Sequence, residues 1–82
     1  MVTAAQLRAA RGLLNWPQEH LAKMAGLSVS TVKRMESADT GPTKSSLANV
    51  EAVCRALEKG GVQFLPGNGH GPGVQLRDGE KG

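Results

Sequence analysis

The amino-acid sequence predicts an all-α domain of four to five short helices with a short β-hairpin at its C-terminal end. Apolar residues recur at helical spacing in successive segments between residues 4 and 59. The 39% apolar content is carried by Ala, Leu and Val, with Trp16 and Phe64 as the only aromatics, which suits small packed helices better than a β-sandwich. From residue 60 onward the character changes, because eight of the eleven glycines lie there around two short β-type runs. The expected division is a helical unit at 1–60 and a Gly-rich extension at 61–82.

Helix one is signalled by Thr3 at the N-cap and Gln6 three residues on, a capping box, with Val2 and Leu7 able to close a hydrophobic staple. Leu7, Ala10 and Leu14 share one face, and Gly12 weakens the helix end. Asn15-Trp16-Pro17 breaks the chain. Pro17 suits the first turn of helix two, which runs from about Pro17 to Ala25 with Leu21, Ala25 and Met24 inward and Gly26 as its stop. Helix three follows at once, from an N-cap at Ser28 through Met35 or Glu36, with Val32 and Met35 as core positions. A turn-rich stretch at 37–42 leads to helix four, expected from Lys44 or Ser45 to Lys59 with the stripe Leu47, Val50, Val53, Cys54 and Leu57. Val62–Leu65 and Gly73–Leu76 then read as strands of a hairpin with a long flexible loop at 66–72 and a flexible end; the competing reading of this extension is a disordered tail.

Composition excludes several function classes. A chain of 82 residues is one small domain with a thin core. A single cysteine, Cys54, excludes an internal disulfide framework and a Cys-rich zinc site, and it reads as a buried small hydrophobe on helix four. No secretory h-region and no long apolar run is present, so neither a signal peptide nor a membrane span is expected. A reducing cytoplasmic compartment is the corresponding expectation. His20 and His70 lack metal-ligand spacing. The glycine run at 67–73 has no Gly-Lys-Ser/Thr ending and no following helix to bind phosphate. No nucleophile–base–acid set is recognisable, so neither an enzyme, a metal nor a cofactor is expected.

Charge points to an anionic partner. The net charge is +3, and all of it arises in the first 45 residues, where Arg8, Arg11, Lys23, Lys33, Arg34 and Lys44 face only Glu19, Glu36 and Asp39. Spacing sharpens the expectation. Counted from Gln18, Leu21, Ala22, Gly26, Val32 and Met35 fall where two helices crossing at a tight turn need them. Ala22 allows close approach, Gly26 the turn, and the larger residues fill the wedge. That is the helix-turn-helix pattern, whose second helix can enter the DNA major groove.

Leu7 to Arg11, the segment PQEHLAKMAGLSVSTVKRME at 17–36 and SSLANVEAVCRAL at 45–57 together resemble the phage Cro and lambda-repressor-like regulators, the xenobiotic-response-element type. The resemblance covers about residues 4–57 and is most specific at 17–36. It implies a lambda-repressor-like helical bundle that binds double-stranded DNA near promoters, usually as a homodimer. By position, Gln18 is expected to contact a phosphate and buttress the recognition helix, and Ser28 to cap that helix and face a phosphate. Val29, Ser30, Thr31, Lys33 and Arg34 hold groove-facing places; Arg34 can grip guanine O6 and N7, and Val29 can pack on a thymine methyl. Lys23 and Lys44 are candidate phosphate contacts, and Arg11 and Glu36 match the family's structural ion pair. Pro17 departs from the family's small polar cap, which leaves Asn15 or Trp16 to cap helix two. The recognition helix also lacks Gln or Asn at its first positions, which shifts specificity toward DNA shape.

The leading functional expectation is a sequence-specific transcriptional regulator acting on a pseudo-palindromic operator. Two alternatives remain: an antitoxin or phage-type autoregulator whose C-terminal extension binds a protein partner, and an adaptor that docks on the transcription machinery without reading sequence.

Overall fold

The computed structural model describes residues 2–65 and 72–77. Its elements are α1 (Ala4–Leu14), α2 (Gln18–Ala25), α3 (Val29–Glu36), a short 3-10 helix (Pro42–Lys44), α4 (Leu47–Lys59), β1 (Val62–Leu65) and β2 (Gly73–Leu76). The mostly helical architecture with a C-terminal antiparallel hairpin is the one expected. The loop and the flexible end anticipated around it fall largely on residues 66–71 and 78–82, outside the described residues. Among the described residues, no helix is long and apolar enough to cross a membrane.

Local chemistry sets the helix ends. The Thr3 hydroxyl accepts from Gln6 N at 3.1 Å, while Gln6 Oε1 accepts from Thr3 N at 2.8 Å, closing the capping box. Asn15 ends α1 in the left-handed region at φ 57, a conformation its short polar side chain tolerates. It therefore does not cap α2. Neither does Trp16: Pro17 occupies the N-cap position in extended conformation, with no side-chain hydrogen bond. Proline has no N–H and brings no side-chain acceptor, so α2 starts at Gln18, one residue later than expected. Gly26 at φ 73 closes α2 and makes the sharp turn.

Helix α4 also starts later than expected, at Leu47 rather than at Lys44 or Ser45. The 3-10 turn takes up Pro42–Lys44, and Ser46 caps α4 by accepting from Asn49 N at 3.2 Å. Leu47, expected in the core, lies on the first turn and is 63% exposed. Met24 on α2 is likewise exposed rather than inward, and Cys54 is half-buried rather than sealed. Partial burial, with Glu58 and Glu51 nearby, pushes the Cys54 thiol above its ordinary pKa, so the neutral thiol is the neutral-pH form.

The core is contributed by every helix and by the hairpin. Leu7 and Ala10 from α1, Leu21 and Ala22 from α2, Val32 and Met35 from α3, and Val50, Val53, Ala56 and Leu57 from α4 are buried together with Val62 from β1. Trp16 half-covers this core and meets His20 edge-to-face at 4.6 Å between ring centroids. It also explains Gly60: a Cβ there would lie 2.8 Å from Leu14 Cδ1 and 2.9 Å from the indole. A side chain at this position would collide with the residues that close α1 onto α4.

The hairpin pairs Val62 with Leu76, Gln63 with Gln75, Phe64 with Val74 and Leu65 with Gly73. Val62, Phe64 and Val74 turn to the helices, while Gln63 and Gln75 are exposed and joined, Gln75 Nε2 donating to Gln63 Oε1 at 3.1 Å. The buried Gln6 fastens the hairpin's far end, donating from Nε2 to Gly73 O at 2.9 Å and Leu65 O at 3.3 Å. The same side chain thus caps α1 and ties down both strands. Gln6 projects roughly 140–160° around α1 from Arg8 and Arg11, given 3.6 residues per turn. Those arginines reach α3, so α1 carries the hairpin and α3 on opposite sides.

Candidate nucleic-acid interface

α2 and α3 meet across a turn of only three residues. Ala22 is 2% exposed, small enough for the helices to approach, and Leu27 N donates to Ala22 O at 2.9 Å across the turn. Leu21, Val32 and Met35 fill the wedge beneath. Ser28 starts α3: its hydroxyl accepts from Thr31 N at 3.2 Å and shares a 2.9 Å hydrogen bond with the Thr31 hydroxyl.

At its other end α3 is anchored through Glu36. This carboxylate is 3% exposed and accepts two bonds from Arg11, Nε to Oε2 at 2.8 Å and Nη2 to Oε1 at 2.9 Å. Gln18 Nε2 donates to Oε1 at 3.1 Å, and Arg8 donates to the Glu36 carbonyl. Arg11 further donates from Nη1 to Trp16 O at 3.0 Å. The first residue of α2 and two arginines of α1 therefore converge on the last residue of α3, and Arg11 ties the linker to them through Trp16 O. The bond to Glu36 raises the Arg11 pKa above its already high ordinary value, so this guanidinium is charged at every accessible pH.

The rest of α3 points away from the body. Ser30, Lys33 and Arg34 are exposed; Val29 packs partly on the core, and Thr31 is half-buried with its hydroxyl engaged by Ser28. Lys33 and Arg34 sit in the last turn, where cations suit the helix dipole. Lys44 is exposed on the 3-10 helix that packs against α3, and Lys23 is exposed in the last turn of α2. The structure thus brings Gln18, Arg11 and Glu36 together, groups Ser28 with Thr31, and leaves Ser30, Lys33, Arg34 and Lys44 open to solvent.

Two anchors escaped the sequence reading. In the sequence Arg8 adds only charge and Gln6 only a cap; both make bonds to residues far along the chain, for which local spacing carries no signal.

A helix-turn-helix family model matches residues 7–61, two-thirds of the chain and all of the geometry just described. The chain belongs to the Cro/C1-type helix-turn-helix family. No curated protein matches the chain. Membership in this helix-turn-helix family makes it, in general terms, a DNA-binding transcription regulator. The match ends at Gly61, so the paired strands β1 and β2 lie beyond the helix-turn-helix segment itself.

Proposed function

We propose that this chain is a sequence-specific transcriptional regulator that inserts the 28–36 segment into the major groove, with α2 lying across the phosphate backbone. The observation carrying this reading is the division of α3: one side locked by Val32, Met35 and Glu36, the other presenting Ser30, Lys33 and Arg34 to solvent. Arg34 is the principal base reader, donating two bonds to guanine O6 and N7. Lys33 and Ser30 make the remaining direct contacts. Val29 and Thr31, partly engaged by the body, contribute shape at the edge of the reading surface. Gln18, Ser28 and Lys44 face phosphates, with Lys23 adding charge.

One such helix contacts too few base pairs for high specificity. A homodimer on a pseudo-palindromic operator, with half-sites about one helical turn apart, supplies the rest. Affinity selection of fragmented source-genome DNA at near-physiological salt tests the reading. Enrichment of a few sites sharing an inverted repeat is expected. Recovery of DNA with no common sequence would contradict it and favour an adaptor that binds protein.

A further inference from the structure

We propose that the groove between α2 and α4 is a docking site for an acidic amphipathic helix of a second protein. One apolar side chain of that helix sits between α2 and α4, and two of its carboxylates meet Arg55 and Lys59. The site lies apart from the outward side of α3 and goes beyond the DNA reading above.

The groove follows from the residues where the two helices meet. Ala25 on α2 and Ala52 and Ala56 on α4 are too short to fill the space above their contact. Met24 rises on one side, and Arg55 and Lys59 rise on the other. The result is an open trough of about 180 Å³. Pockets that enclose a small molecule are larger, roughly 300–1,000 Å³. The trough suits a single side chain presented by a larger partner. Met24 is 52% exposed, one of the few large apolar side chains left to solvent. An exposed methionine makes an adaptable apolar wall, of the kind common on surfaces that accept partner side chains.

Charge selects the partner. Arg55 and Lys59 are both exposed and stand four residues apart on α4, about 6 Å along the helix axis. Among the described residues the one ion pair is Arg11 with Glu36, so neither cation is paired. The described carboxylates are engaged elsewhere. Glu36 is buried at the end of α3, Glu19 acts on Arg11, and Asp39 lies in the turn after α3. Glu51 and Glu58 border Cys54 in a neighbouring hollow, with Arg55 standing between that hollow and the groove. No carboxylate lines the groove itself. An amphipathic helix lays its apolar face into such a groove. Glu side chains one turn apart on that helix match the spacing of Arg55 and Lys59.

The site stays open when α3 is in DNA. α2 packs against α3 and against α4, which share little contact with each other. It thus separates the groove from Ser30, Lys33 and Arg34.

The test uses the full chain, isotope-labelled for amide NMR, and a synthetic helical peptide of about 15 residues. The peptide carries Leu along one face and Glu pairs one turn apart beside it. Amide shifts should centre on Met24, Ala52 and Ala56. The double variant Arg55→Glu, Lys59→Glu should keep its helical circular dichroism and bind about tenfold more weakly, because like charges then face each other. A peptide with Lys in place of Glu should prefer the double variant. A peptide with Ser in place of Leu should not bind, since exposed ion pairs alone contribute little. Excess duplex DNA should leave the affinity unchanged. No binding at about 1 mM peptide, equal binding to the double variant, or shifts centred on α3 or the hairpin would overturn the inference. Displacement of the peptide by DNA would make the groove part of the DNA surface instead. A changed mass of the double variant in sedimentation equilibrium would make it an interface between copies of this chain. Either result also overturns the proposal, and neither bears on whether α3 reads sequence.

Discussion

The inward side of α3 holds Val32, Met35 and Glu36, none more than 4% exposed, whereas its outward side holds Ser30, Lys33 and Arg34, all exposed. Eight residues are too few for a stable isolated helix. The inward side therefore holds the segment in shape, and the outward side is free to vary in chemistry without unfolding it. Folding and recognition are separated by about half a helical turn. Substitutions on one side should change stability, and those on the other should change binding alone.

The largest effect is expected from Arg11→Ala. It leaves the buried Glu36 carboxylate without its cationic partner, and breaking a buried pair this way costs about 3–5 kcal/mol. Urea unfolding should show a loss of that size, a large share of the stability of so small a domain. A loss under about 1 kcal/mol would mean that Gln18 and the Arg8 bond hold α3 without the ion pair. Met35→Ala, which opens a cavity in the wedge between α2 and α3, should cost about 2–5 kcal/mol in the same measurement. A near-neutral result would show that the two helices collapse onto the space.

Ser28 stands where the two sides meet. Ser28→Ala removes the cap on α3 and should lower stability by about 1 kcal/mol. If stability is unchanged, the Ser28–Thr31 bonds are decorative and the comparison loses its N-terminal anchor. The smallest effect concerns Lys44, exposed beside α3. Lys44→Ala should leave unfolding unaltered, weaken all DNA sequences alike, and reduce the salt slope of binding by about one. A change confined to one sequence would move Lys44 from phosphate contact to base reading.

The distinction between local and long-range chemistry also decides what the sequence made legible. Thr3 and Gln6, Gly26, Ser28 and the spacing of Leu21, Val32 and Met35 act within a few residues, and each produced the element expected of it. The hairpin strands were legible for the same reason, their runs of Val, Phe and Leu being bounded by glycine. Helix boundaries failed where proline intervened. Pro17 displaced the start of α2, and Pro42 drew the chain into a 3-10 turn that delayed α4 and left Leu47 outside the core. Contacts made over long separations were not legible from spacing. Gln6 reaches 67 residues ahead to Gly73, and Arg8 reaches 28 ahead to Glu36. The Arg11–Glu36 pair is signalled only through family resemblance, and the crowding of Gly60 by Leu14 and Trp16 is a contact across more than forty residues that no local pattern fixes.

The claim that the outward side of α3 reads sequence is tested most directly by Arg34→Ala. Binding of wild type and variant would be compared on the selected operator and on its single-base variants, alongside urea unfolding of both proteins. The account predicts an unchanged unfolding midpoint, a loss of about 1–3 kcal/mol at the operator, and a relaxed preference at one base pair per half-site. Equal affinity and an intact preference in the variant would contradict it.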